Sequence, residues 1–134
     1  MYTQIQPACE FCSNALETRD HLFFACQWSR TVLEAVCDWC CLDNWHYRFD
    51  NWCRWLKFSF QDKGRRQFIY AAMAATTYHI WMERNRRIFR HASLRPDQVF
   101  VLIKRELALR ISLYVPNFVN WSNRVMVHRI LTAI

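Results

Sequence analysis

Residues 65–91 read RRQFIYAAMAATTYHIWMERNRRIFRH, twenty-seven positions with no proline or glycine. The run follows Lys63-Gly64 and predicts one helix from about Arg65 to Arg90. At 1.5 Å per residue it would span about 40 Å, the width of a small domain. Winding it at 100° per residue collects Tyr70, Ala74, Thr77, Tyr78, Trp81, Asn85 and Ile88 on one face, with Met73, Met82 and Phe89 at its edges. That face is expected to be the buried one. Glu83, Arg86, Arg87 and Arg90 then fall on the opposite, solvated side. Asn85 would stand inside the apolar stripe, where an unpaired amide costs about 1–3 kcal/mol, so it is expected to bond a neighbouring backbone.

Upstream lies CEFCSNALETRDHLFFAC, residues 9–26, with Cys9, Cys12, His21 and Cys26 in the spacing C-x2-C-x8-H-x4-C. Three thiols and an imidazole form a complete tetrahedral ligand set for one structural Zn2+. The competing reading is of ordinary buried thiols with His21 capping a helix. His21 and Cys26 are five residues apart, which on a continuous α-helix would turn them about 140° away from each other. His21 is therefore expected at or before a helix start, with Cys26 reached through a turn. A second set, Cys37, Cys40, Cys41, His46 and Cys53, lies partly within an apolar helical pattern and reads as core rather than as a second metal site.

Ser29 is the expected N-cap of a helix SRTVLEAVCDWCCL. The aromatic-rich stretch from Asp43 to Asp62 reads as irregular chain plus a short helix after an Asp50 cap. Pro96-Asp97 opens another helix to about Leu113, with an Arg110–Glu106 pair on it, and Pro116-Asn117 ends it. Trp121 to Ile134 reads as a last helix. The expected fold class is mainly α: a small helical domain with an N-terminal CCHC zinc knuckle and one long central helix.

The chain has 134 residues, one glycine, three prolines, 53% hydrophobic and 16% aromatic residues, a composition that favours a packed unit over disorder. Charges interrupt every apolar run short of the roughly 20 residues a membrane span needs, and MYTQIQPACE lacks the regions of a signal peptide. Seven cysteines, an odd number, suit zinc ligands and buried thiols in a reducing, intracellular setting better than a disulfide framework. The net charge of +7 is polarised. Residues 1–62 carry 5 Lys/Arg against 8 Asp/Glu, residues 63–95 carry 8 against 1, and residues 96–134 carry 5 against 2. Arg65, Arg66, Arg86, Arg87 and Arg90 are thus candidates for phosphate contact, and Trp45, Tyr47, Trp52 or Trp55 for stacking on unpaired bases. The same arginines are equally readable as the solvated face of a long helix.

The knuckle with HLFFAC inside it, Trp28 soon after, and YHIWMERNRRIF at Tyr78 to Phe89 together resemble the zinc-binding domain that follows the reverse transcriptase in plant non-LTR (LINE-type) retrotransposon polyproteins. The resemblance covers roughly residues 1–92, leaving 93–134 as a C-terminal helical extension. It implies a helical domain with one structural zinc on Cys9, Cys12, His21 and Cys26, accompanying a reverse transcriptase and helping to hold RNA or DNA. The chain starts just before the knuckle and carries no paired-Asp polymerase signature, no ribonuclease H carboxylate tetrad and no glycine-rich phosphate loop. A non-catalytic accessory module is therefore expected. The alternative is a purely structural or protein-interaction module, the remnant of a truncated retroelement.

Overall fold

The computed structural model describes residues 7–42, 49–59 and 63–118. The expected helix over 121–134 and the residues Trp45, His46 and Tyr47 lie outside them. After a short looped segment and a single π-turn, His21–Ala25, four helices follow: α1 Gln27–Trp39, α2 Phe49–Ser59, α3 Lys63–Arg90 and α4 Pro96–Phe118. The described part is mainly helical, and no described helix is long and apolar enough to cross a membrane.

The long helix α3 is the element against which the others are placed. It packs against α4, α1 and α2, and α1 also packs against α4. Phe68, Ile69, Ala72, Ala75 and Ile80 of α3 meet Val32, Leu33, Val36, Cys37, Trp39 and Cys40 of α1, Trp52 of α2, and Val99, Ile103, Leu107 and Ala108 of α4 in one buried cluster. Trp39 meets Phe100 edge to face, with ring centroids 6.2 Å apart. Thr76, fully buried, satisfies its hydroxyl by donating to the Ala72 carbonyl at 2.7 Å.

The buried face of α3 is the opposite of the expected one. Tyr70, Tyr78 and Trp81, read as core, are 46%, 54% and 44% exposed, while Glu83, read as solvated, is 0% exposed. Apolar residues nearly encircle this helix, so periodicity alone does not choose a side. The small residues Ala72, Ala75 and Thr76 form the packed side and leave the bulky aromatics outside. Asn85 accordingly leaves the core: it is half-buried, and its Oδ1 accepts from Arg84 Nη1 at 3.3 Å rather than bonding a neighbouring backbone.

Helix ends differ from expectation in instructive ways. α1 begins at Gln27 with Cys26 as N-cap, and Ser29 lies within its first turn, fully buried, donating to the Leu22 carbonyl. The hydroxyl therefore ties α1 to the π-turn instead of capping the helix. At the other end Cys41 takes a left-handed φ of 58°, and Leu42 and Cys41 donate to the carbonyls of Cys37 and Asp38 at 2.9 and 3.1 Å. This is a Schellman closure, made without the usual glycine because the chain has only Gly64. Asp50 lies in the first turn of α2, which starts at Phe49. Pro96 opens α4 as expected, and the Arg95 N–H donates to Gln98 Oε1 at 2.9 Å across the first turn. α4 continues to Phe118, past the expected end near Leu113. Pro116 deletes one backbone donor but its fixed φ is itself helical. Glu106 pairs with Arg110 at 3.8 Å, and also with His79 of α3 at 3.3 Å.

Candidate metal centre

The looped segment brings its two cysteines to one side by a tight turn. The Ser13 N–H donates to the Cys9 carbonyl at 2.9 Å, and Ser13 itself has φ 58°, which turns the chain back. The returning chain pairs with the entry. Ala8 and Leu16 form an isolated antiparallel bridge, and the N–H groups of Cys9 and Glu17 donate to Ala15 and Pro7 at 2.8 and 3.0 Å. Cys9 and Cys12 thus flank a closed loop facing the rest of the domain.

His21 and Cys26 are brought together by the π-turn. The Cys26 N–H donates to the His21 carbonyl at 2.7 Å, an i to i+5 bond that widens the turn and carries residue 26 back toward residue 21. Cys26 then leaves in an extended conformation, φ −62° and ψ 135°, as the N-cap of α1. Leu22 and Phe24, between the two donors, enter the core, so the ligand positions and the packing are set by the same five residues. Periodicity does not reveal a π-turn. The signal that was legible is the five-residue separation, which an α-helix cannot reconcile with convergence.

The result is one cluster. Cys9 Sγ lies 3.8 Å from Cys26 Sγ, and Cys12 Sγ lies 3.3 Å from His21 Nε2. The ligand atoms of all four residues fall within 4.8 Å of one another, close enough to hold a metal ion. Cys9 and Cys26 are buried, Cys12 and His21 half-buried, so the cluster has a dry side against the core and a side open to ion entry.

The thiols differ electrostatically. The Cys12 thiol is lowered from 9.0 to about 7, chiefly because the Asn14 N–H points at its sulfur from 3.5 Å. Burial pushes Cys26 up to about 12 against weaker help from the N–H groups of Trp28 and Ser29. Without a cation, then, Cys12 gives up its proton more readily than Cys26. A divalent ion would supply the positive charge that lets the buried sulfur ionise.

The second cysteine set does not form such a cluster among the described residues. Cys37 and Cys40 are buried in the core, and burial raises the Cys37 thiol to about 12, with Glu34 adding to the effect. Trp52, a proposed stacking residue, is 2% exposed and packs edge to face on half-buried Trp55 at 5.1 Å. Its place in the core removes it as a platform. The exposed aromatic residues among those described are instead Tyr70, Tyr78, Trp81 and Phe89, all on α3.

The five candidate arginines fall into two groups at the two ends of α3. The 21 residues between Arg65 and Arg86 correspond to about 32 Å of helix. Arg65 Nη2 reaches the Cys41 carbonyl at 3.4 Å, and Arg66 is half-buried beside it in sequence. Arg86 and Arg87 both pair with the buried carboxylate of Glu83, Arg87 through Nε at 3.0 Å. Arg90 is exposed and lines a depression of about 230 Å³ with Met82, Asn85, Arg86 and Phe89. Glu83 was missed as a structural residue, although arginines three and four positions later are the spacing that pairs on a helix.

Comparison with known proteins gives no match to a family, a curated protein or a solved structure.

Proposed function

We propose that Cys9, Cys12, His21 and Cys26 bind one structural zinc ion, and that the protein is a non-catalytic zinc-binding module. The observation that carries this reading is the convergence of four ligand atoms within 4.8 Å of one another, with two of their separations near those of a zinc tetrahedron. Ligand lengths of about 2.3 Å to sulfur and 2.05 Å to nitrogen space two sulfurs about 3.8 Å apart and a sulfur and a nitrogen about 3.5 Å apart. The corresponding separations are 3.8 and 3.3 Å. Four protein donors fill the coordination sphere and leave no open position for a substrate, which is the arrangement of a structural rather than a catalytic site.

The module accompanies a reverse transcriptase of the plant LINE type and assists RNA or DNA binding. The pairing of this CCHC spacing with YHIWMERNRRIF and the basic charge of residues 63–95 support that assignment. Arg66 and Arg90 are the better phosphate candidates, since Arg86 and Arg87 share the Glu83 carboxylate and Arg65 reaches the Cys41 carbonyl. A second reading, a protein-interaction module, is favoured by the apolar residues Tyr70, Tyr78, Trp81, Met82 and Phe89 exposed along α3.

Zinc analysis of the purified chain tests the metal. One equivalent is expected, lost in Cys12→Ala and in His21→Ala; one full equivalent retained by the double variant removes the site. A gel shift with single-stranded RNA and DNA across a salt series separates the two roles. Nucleic-acid binding predicts affinity falling steeply with salt and falling further in Arg66→Ala/Arg90→Ala. No shift at low salt leaves the interaction module.

A further inference from the structure

The CCHC loop and the ERNRRIF segment of α3 lie more than fifty residues apart in sequence yet meet through Arg84 and Arg87. Glu83 is the anchor. Its carboxylate is fully buried and accepts from Arg86, from Arg87 Nε at 3.0 Å, and from the Leu94 N–H at 2.8 Å. A buried carboxylate with one partner would be costly; with three donors it becomes a rigid joint between the end of α3 and the start of α4.

That joint fixes the guanidinium of Arg87. Its central carbon lies 4.9 Å from the ring centroid of Phe11 and 5.2 Å from that of Trp28. The two rings are stacked on each other, centroids 4.1 Å apart and planes 17° from parallel. Phe11 stands between Cys9 and Cys12, and Trp28 stands two residues after Cys26. One guanidinium beside this stack, near both rings, therefore bridges the two chain segments that supply all three sulfurs. A second tie lies one turn away. Arg84 Nε pairs with Glu17 Oε1, whose other oxygen accepts the Glu10 N–H at 3.3 Å, so α3 also grips the returning arm of the loop and its turn. The side chains of Glu17 and Arg84 are only 9% and 19% exposed, which keeps this pair from being a freely solvated contact.

We propose that Arg84 and Arg87 are positioning residues for the metal loop: through Glu17 and through the Phe11–Trp28 stack they set Cys9, Cys12 and Cys26 in ligand geometry before an ion arrives. This rests on the reading of the CCHC cluster as a zinc site. It gives the ERNRRIF segment a role, with Arg87 at the joint, Arg84 at the loop, and Glu83 holding Arg87 in place. Linkage makes the effect reciprocal, so zinc in turn steadies the α3–α4 joint.

The test is zinc affinity of the full chain, measured by competition with a chromogenic chelator well below the melting transition. Arg87→Leu is expected to weaken zinc about tenfold, the lower end of what outer partners of metal ligands contribute. Arg84→Leu should weaken it less. Arg87→Lys should recover only part of the loss, because an ammonium lacks the planar fork that bonds Glu83 while lying over the rings. Arg105→Leu, on the exposed side of α4, should bind as the unaltered chain does. A role in general stability alone would lower the melting temperature and leave affinity unchanged. Equal affinity in Arg84→Leu, Arg87→Leu and the unaltered chain would overturn the proposal while sparing the zinc site; an unaltered chain that binds no zinc would remove both. Should Arg87→Leu fail to fold, amide exchange of the unaltered chain decides the matter. Zinc is expected to slow exchange of the Leu94 amide, and a Leu94 rate indifferent to zinc overturns the coupling.

Discussion

Two groups of cysteines in this chain show how the same residue type is put to opposite uses by backbone geometry. Cys9, Cys12 and Cys26 stand on a reversing loop and at the end of a π-turn, two non-α segments that turn sulfurs toward a common point with His21. Cys37 and Cys40 stand on and at the end of α1, where the spacing of three residues turns both inward among Val36, Trp39 and Leu33. The first group holds both a depressed thiol, Cys12 at about 7, and a raised one, Cys26 at about 12, whereas Cys37 of the second is raised to about 12. A backbone amide directed at sulfur separates Cys12 from Cys37, whose chief influence is burial. Spacing alone did not separate the groups; the local turn did.

The largest contrast should appear on truncation. Removing a ligand costs the chain its zinc and the stability linked to it, while the core among α1, α3 and α4 remains. Cys26→Ala should therefore abolish metal binding and lower the melting temperature by several degrees with the helical signal retained, read by circular dichroism. Cys37→Ala removes one buried sulfur and should cost about 1 kcal/mol while retaining the metal. A Cys37→Ala chain that loses its zinc would erase the distinction between the groups.

Thiol chemistry should sort the groups next. In chelator-treated protein near pH 7, Cys12 should be alkylated fastest and Cys37 among the slowest, because the thiolate is the reacting species. Zinc should protect Cys12 and leave the Cys37 rate as it was. Peptide mapping after a timed iodoacetamide pulse reads both.

The pH dependence of the metal-free chain carries opposite signs for half-buried Cys12 and for the buried thiols. Cys12 is depressed, so its contribution is fully present above 9.0 and is lost as pH falls through about 7. Cys26 and Cys37 are raised, so theirs is present below 9.0 and is lost as pH rises toward 12. Denaturant midpoints should thus decline above about pH 9 and, more gently, as pH falls from about 9 to about 7, levelling below that. Replacing Cys37 with Ala should remove part of the alkaline decline and none of the gentler one.

How much of this was legible follows the same division between chemistry and geometry. The convergence of Cys9, Cys12, His21 and Cys26 could be read because a metal site would require such donors at such a spacing. The long helix could be read because nothing in residues 65–91 interrupts one. Its orientation could not, since Tyr70, Tyr78 and Trp81 look like core residues as much as Phe68, Ile69 and Ile80 do, and the small residues Ala72, Ala75 and Thr76 between the latter let a neighbour approach closely. Glu83 was read as solvent-facing because its burial depends on Leu94 and two arginines arriving together. Ser29 looked like a cap because only the three-dimensional course of the π-turn reveals the Leu22 carbonyl above it. The pairing of Arg86 and Arg87 with Glu83 was hidden for a related reason: a count of arginines does not say which meet a carboxylate.

The central claim is that four residues from two separated turns hold one zinc ion while the remaining thiols hold none. Native mass spectrometry of a chain with Cys37, Cys40, Cys41 and Cys53 all replaced by Ala or Val, compared with the same chain carrying Cys12→Ala and His21→Ala in addition, tests it directly. One zinc per chain in the first and none in the second is the predicted result. A first protein without zinc, or a second that keeps a full equivalent, would contradict it.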